Sequence, residues 1–175
     1  LDSGKLGKLT AIHFASNGYV RRSDWQAFRK YGGGMLNNYG AHFIDQVMPL
    51  FDNPTCHVDG CELRTMATLG DAEDVVKVLL RTEQGIIGDI DINLACGIPG
   101  NEWIVYGKYG AARLDAAQNP WHIRYLIPEE LPALELQNSL AAAGRSYASE
   151  GALPWHEEAL QYELLPSPGY YEEVY

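Results

Sequence analysis

The chain has 175 residues, 46% apolar and 21% charged, an ordinary globular mixture with enough length for one substantial core. Its formal net charge of −10 argues against nucleic acid or an anionic membrane surface as partner, since either needs a basic face to meet phosphates. No run approaches the roughly 18 apolar residues that would span a bilayer, and no export signal is visible. Cys56, Cys61 and Cys96 form an odd set without zinc-ligand spacing, which reads as buried free thiols in a reducing, cytoplasmic setting.

In chain order, a first strand is expected over Leu9–Phe14, with Ile12 and Phe14 on one face and Ala11 and His13 on the other. The segment Gly32 to Asp45 is the most informative. Three glycines release the backbone for a tight, closely approached turn, and Asn37 and Asn38 follow as candidate helix N-caps. Leu36, Tyr39, Phe43, Ile44, Val47, Leu50 and Phe51 then recur at helical spacing, predicting a helix over Asn37–Phe51, closed by Asp52-Asn53-Pro54. Strands are expected near Val58–Thr65, Val75–Thr82, Ile86–Leu94, Trp103–Tyr106 and Ala112–Asp115, with a short one near Ile123–Ile127. Glu83-Gln84-Gly85 reads as a hairpin turn. In Ile86–Leu94 the even positions are apolar or glycine, whereas Asp89, Asp91 and Asn93 face the other way with Ile87. One buried and one wetter face suit antiparallel pairing. The predicted fold is α+β: an open, mainly antiparallel sheet of about six strands with helices packed on one face. A further helix is expected over part of Leu134–Ala143.

Asn38 and His42 are four residues apart, on one face near a helix N-terminus behind the glycine turn. A titratable imidazole beside an amide, at a helix end behind a glycine turn, is a reasonable piece of active site. A helical His is also a common structural residue, and Asn38 also reads as a simple cap. No histidine pair has metal spacing; His156-Glu157-Glu158 lacks a second His at helical distance.

Four motifs in order resemble the second domain of the Gfo/Idh/MocA oxidoreductases: the Ser3-Gly4-Lys5-Leu6-Gly7 turn; Arg22-Ser23-Asp24-Trp25-Gln26; Gly32–Gly34 with Asn38, Gly40, His42 and Asp45; and Gly107-Lys108-Tyr109-Gly110 followed by Ala112-Arg113-Leu114-Asp115. The resemblance spans Ser3 to about Asp115. It implies that the chain is a single substrate-binding and oligomerising domain, cut from a longer enzyme whose N-terminal Rossmann domain binds NAD or NADP and supplies a catalytic Lys. Neither a G-x-G-x-x-G turn after an apolar strand nor an E-K-P loop occurs in the chain, so no cofactor is expected on this chain alone. The last residues, Tyr170 to Tyr175, read as a helix cut short.

The resemblance further implies that His42 is the acid/base, or partner of the Lys, for a reaction on a sugar, polyol or related small molecule. Asn38 stands where many members carry Asp, which puts a carboxylate relay in doubt: an amide orients a hydroxyl but accepts no proton. Trp25, Arg22 and Asp24 are the candidate substrate contacts, with Asp45 one turn past His42; Trp25 fits core packing equally well. The sheet's wetter face, where Val75 and Leu79 interleave with Lys77 and Arg81, is the expected surface for a homodimer or homotetramer. Two other readings stay open: an NAD-dependent glycoside-cleaving relative, and a non-catalytic ligand-binding or dimerisation module.

Overall fold

The computed structural model of the protein describes residues 3–51, 55–115, 120–134 and 152–161. They form one eight-stranded sheet. Its strands are β1 (Leu9–Tyr19), β2 (Cys56–Arg64), β3 (Val75–Thr82), β4 (Ile87–Asn93), β5 (Ala95–Gly107), β6 (Gly110–Asp115), β7 (Trp121–Tyr125) and β8 (His156–Leu160). Their spatial order is β2-β3-β4-β1-β5-β6-β7-β8. Every neighbouring pair is antiparallel except β1 and β4, which run parallel from Ala11↔Ile87 to Asn17↔Asn93. The chain turns at Leu94 between β4 and β5, yet β1 lies between these two strands, so Asn17 meets Asn93 while Tyr19 meets Ala95.

The open, mainly antiparallel α+β fold agrees with the sequence pattern, and the strand count corrects it from about six to eight. Strand β1 runs five residues past Phe14 through Ser16, Asn17 and Gly18, poor strand formers held by ladders on both sides. Strand β5 starts at Ala95, eight residues before the expected Trp103. Strand β8 lies at the sheet edge and has no fully buried residue, so it leaves no apolar alternation to read. The expected helix over Leu134–Ala143 lies outside the described residues apart from Leu134, and Asp52-Asn53-Pro54 lies outside them altogether.

The core occupies one face of the sheet. Ile12, Phe14, Val76, Val78, Leu80, Ile90, Ile92, Val105 and Ala112 meet Met35, Val47 and Phe51 from the helical segment. Phe14 sits against Phe43 and Trp103, with ring centroids 4.2 and 4.5 Å away. The other face is mixed. Asp89 bridges Lys77 (2.6 Å) and His13 Nδ1 (3.2 Å), while Leu79, Ile87 and Tyr106 are exposed beside them. The three cysteines are free, but none is fully buried as the sequence suggested: Cys61 is exposed on the edge strand β2, Cys56 is half-buried at that edge with its Sγ 3.5 Å from Met48 Sδ, and Cys96 is half-buried.

The N-terminal turn is tied to the far edge of the sheet. Lys5 Nζ donates to Glu158 Oε1 at 2.6 Å, and the Tyr125 hydroxyl donates to the same oxygen at 2.8 Å. The Lys5 hydrogen bond, then that from Tyr125, holds the Glu158 carboxyl below its ordinary value of 4.5. A depressed carboxyl pKa stabilises the fold above the unfolded value and loses that contribution as pH falls through the folded one. The melting temperature of the wild-type chain should therefore fall below about pH 4.5 more steeply than that of Glu158→Gln. Parallel curves for the two proteins would show that the contact contributes nothing to stability.

Candidate functional site

The glycine turn is built by close approach. Short 3-10 turns at Trp25–Ala27 and Arg29–Tyr31 lead into it, and the Asp24 carboxylate caps the first by accepting from Gln26 N at 3.1 Å. Gly33 N and Gly34 N then donate back to the carbonyls of Phe28 and Gln26 (3.1 and 3.0 Å). A Cβ at Gly33 would overlap the Gln26 carbonyl. Gly34, at φ +115°, is left-handed, and a Cβ there would overlap the Glu73 carboxylate.

The helical segment opens as a π-helical turn over Leu36–Gly40, continues as α1 (Ala41–Val47) and closes as a 3-10 turn at Met48–Leu50. Such π turns are rare and tend to sit beside functional residues. The expectation that an Asn caps this helix is corrected by the structure. Glu73 is the cap: its Oε1 accepts from Leu36 N (3.2 Å) and its carbonyl from Met35 N (3.0 Å). At 7% exposure its carboxylate is buried against the start of the helix, where the peptide dipoles favour negative charge. Asn37 instead donates to the Gly32 carbonyl, and Asn38 already lies inside the helix, its N–H bonded to the Gly34 carbonyl. The Gln26 backbone and the Glu73 carboxylate thus lie directly against Gly33 and Gly34.

The Arg22 loop and the helix form one network. Asn38 Nδ2 donates to Gln26 Oε1 at 2.9 Å, and Arg22 donates to Asp24 (3.1 Å) and to the Tyr39 hydroxyl (3.3 Å). Trp25 is 57% exposed, so it is no core residue. His42 and Asp45 are exposed on α1 and make no hydrogen bond, to each other or otherwise, among the described residues. Thus Asn38, Arg22 and Asp24 are joined through contacts, while His42 stands about one turn and Asp45 about two turns further along the same helical segment, both exposed.

Sequence reading missed four supporting side chains. Gln26 counted only as the last residue of the Arg22–Gln26 motif, with no role of its own, and Tyr39 only as part of the apolar stripe. Glu73 and Asp74 precede β3 in a polar stretch that looks like an ordinary loop. Asp74 is 1% exposed and accepts from Met66 N (2.8 Å), Ala67 N (2.6 Å) and Thr68 N (2.6 Å), shaping the 65–72 loop. That loop holds the Arg22 segment in turn, through Leu69 N to the Arg22 carbonyl and Ala72 N to the Ala27 carbonyl, both 2.9 Å.

The sequence profile of the GFO/IDH/MocA C-terminal domain matches residues 1–113, well over half of the chain. The protein belongs to the Gfo/Idh/MocA family. Solved structures of NAD-binding proteins share the fold of this Gfo/Idh/MocA domain. A NAD-binding protein from Listeria innocua superposes with a TM-score of 0.68 at 20% identity, over 95% of this chain and 48% of that one. Levoglucosan dehydrogenase in complex with NADH and levoglucosan gives 0.66 at 13% identity, over 92% and 41%. The WlbA dehydrogenase from Bordetella pertussis, in complex with NADH and UDP-GlcNAcA, gives 0.56 at 18%, over 69% and 40%. The chain thus spans under half the length of each of these proteins. Among curated protein sequences none matches. Among the described residues no helix is long and apolar enough to cross a membrane, and no group of three or more His, Cys, Asp or Glu is placed to hold a metal ion.

Proposed function

We propose that this chain is the substrate-binding and oligomerising domain of an NAD(P)-dependent oxidoreductase acting on a sugar, polyol or related small molecule. One observation carries the reading: the unpartnered, outward-facing His42 stands one turn beyond an Asn38 that is locked in place through Gln26. The levoglucosan and UDP-GlcNAcA bound by the structural neighbours support the sugar-like substrate class. The cofactor belongs to a Rossmann domain of the parent enzyme, since this chain carries no G-x-G-x-x-G turn after an apolar strand. When bound, the nicotinamide supplies the hydride acceptor.

Oxidation of a carbinol carbon requires removal of the hydroxyl proton, and His42 takes it, alone or in concert with a Lys from the parent's other domain. With one Asn38 amide hydrogen donated to Gln26, which fixes the side chain, its carbonyl oxygen accepts from a substrate hydroxyl. Trp25 offers an aromatic face to the sugar ring, Arg22 and Asp24 read neighbouring hydroxyls, and Asp45 borders the same face of α1. In the full-length enzyme, NADH or NADPH should form when a panel of sugars and polyols is supplied with NAD or NADP. Sugar cleavage without net cofactor reduction would instead favour the glycoside-cleaving reading.

The mixed sheet face carries the oligomer. Leu79, Ile87 and Tyr106 alternate there with the Lys77–Asp89–His13 cluster, the combination of apolar contact and paired charge that suits an interface between copies. Light scattering on the chain at micromolar concentration should give twice or four times the mass of one chain, and a strict monomer would remove the sheet face from the assembly.

A further inference from the structure

The loop that carries Trp25 is charged against the rest of the protein. Between Arg21 and Tyr31 lie Arg21, Arg22, Arg29 and Lys30 with Asp24 as the single acid, a local charge of +3 on a chain whose net charge is −10. Elsewhere the cations are mostly matched: Lys5, Arg64, Lys77, Arg81, Arg113 and Arg124 each pair with a carboxylate. In this loop only Arg22 does, and Arg21, Arg29 and Lys30 have no carboxylate partner among the described residues. Lys30 lies over the rings of Phe28 and Tyr31 (5.7 and 4.6 Å), and the Asp71 carboxylate is spent on the Arg29 backbone N–H at 3.0 Å.

An acidic protein that leaves three cations exposed and unpaired in one short loop has a reason to attract negative charge at that place. Such a local field raises the concentration of anionic ligands and sets their orientation. The loop is also held in shape. Gln26 and Arg22 tie it to Asn38 and Tyr39 of the helix, and the 65–72 loop pins it at the Arg22 and Ala27 carbonyls. The loop backbone is therefore held against the helical segment that carries His42, four residues beyond Asn38. Two aromatic side chains of the same loop, Trp25 and Tyr31, are 57% and 58% exposed and offer ring faces beside the cations.

We infer that the substrate is an anionic sugar, bearing a carboxylate or phosphate that Arg21, Arg29 and Lys30 hold while the ring rests against Trp25 or Tyr31. This inference rests on the sugar-oxidoreductase reading and narrows its substrate class. Arg22 is left to the sugar hydroxyls rather than the anion, because Asp24 already pairs with its charge.

The test measures binding, separately from turnover, in the full-length enzyme containing this domain. Glucose, galactose and mannose are titrated against the corresponding uronates and 1-phosphates, with inorganic phosphate as a further probe. At roughly 0.05 M salt, where screening is weak, at least one anionic sugar should bind about tenfold or more tightly than its neutral counterpart. The ratio should shrink as salt is raised, and in the Arg29→Gln, Lys30→Gln double variant it should fall to about twofold or less. Uronate and phosphate arms tell a carboxylate site from a phosphate site. Equal affinity for neutral and anionic sugars, a preference that survives the double variant, or no binding of any sugar overturns the inference. So does inorganic phosphate binding as tightly as the sugar phosphates, and so does a double variant that weakens NAD(P) instead of the sugar. Anionic sugars that bind without any cofactor reduction would leave this inference standing and remove the oxidoreductase reading.

Discussion

Replacing His42 by Ala in the oxidoreductase proposed above is expected to lower kcat by roughly 10²–10⁴-fold, the range typical of a lost general acid/base. The fold should scarcely notice. His42 is exposed and makes no hydrogen bond among the described residues, so the change in unfolding free energy should stay within about 0.5 kcal/mol. That contrast separates chemistry from structure, because a residue that merely supported the helix would lose stability along with rate. Steady-state kinetics and a melting curve on the same preparation decide it, and wild-type turnover in the variant would take His42 out of the mechanism. Asn38→Asp is the companion variant. It keeps an oxygen acceptor but loses the amide hydrogen that Gln26 receives, so any gain from a carboxylate must offset a lost contact.

The second large effect is structural and begins at Asp74. Its carboxylate accepts three backbone N–H groups at 2.6–2.8 Å and is 1% exposed. Asp74→Ala leaves those donors without their acceptor, each at a cost of about 1–3 kcal/mol, and a total loss of about 3–5 kcal/mol is expected. Asp74→Asn keeps one acceptor oxygen but turns an NH₂ group toward other donors, so it should fall between the two. Denaturant unfolding would measure both, and a loss below about 1 kcal/mol for Asp74→Ala would mean the loop re-forms its bonds elsewhere. Function should follow stability here. The 65–72 loop holds the carbonyls of Arg22 and Ala27, so its loosening should raise KM for the substrate more than it lowers kcat.

The sequence alone determined the class of the fold and named the residues from which the candidate site is proposed. Alternation in Ile86–Leu94 and in the residues around Ile12 marked which sheet face would be buried, because a period of two survives any arrangement of strands. The glycine run, Asn38 and His42 were legible for a similar reason. Left-handed backbone, helical spacing and family motif are all local properties of the chain.

What the tertiary structure decided is what depends on distant partners. Strand β1 enters between β4 and β5 although those two are joined by a single residue, and no local pattern encodes that insertion. The helix start was assigned to an Asn cap by propensity, yet a carboxylate 37 residues away from Leu36 does the work. Gln26, Glu73 and Asp74 look like loop polars until folding buries them against backbone donors or the Asn38 amide. A polar side chain takes its role from its partner, and only the folded chain supplies that partner.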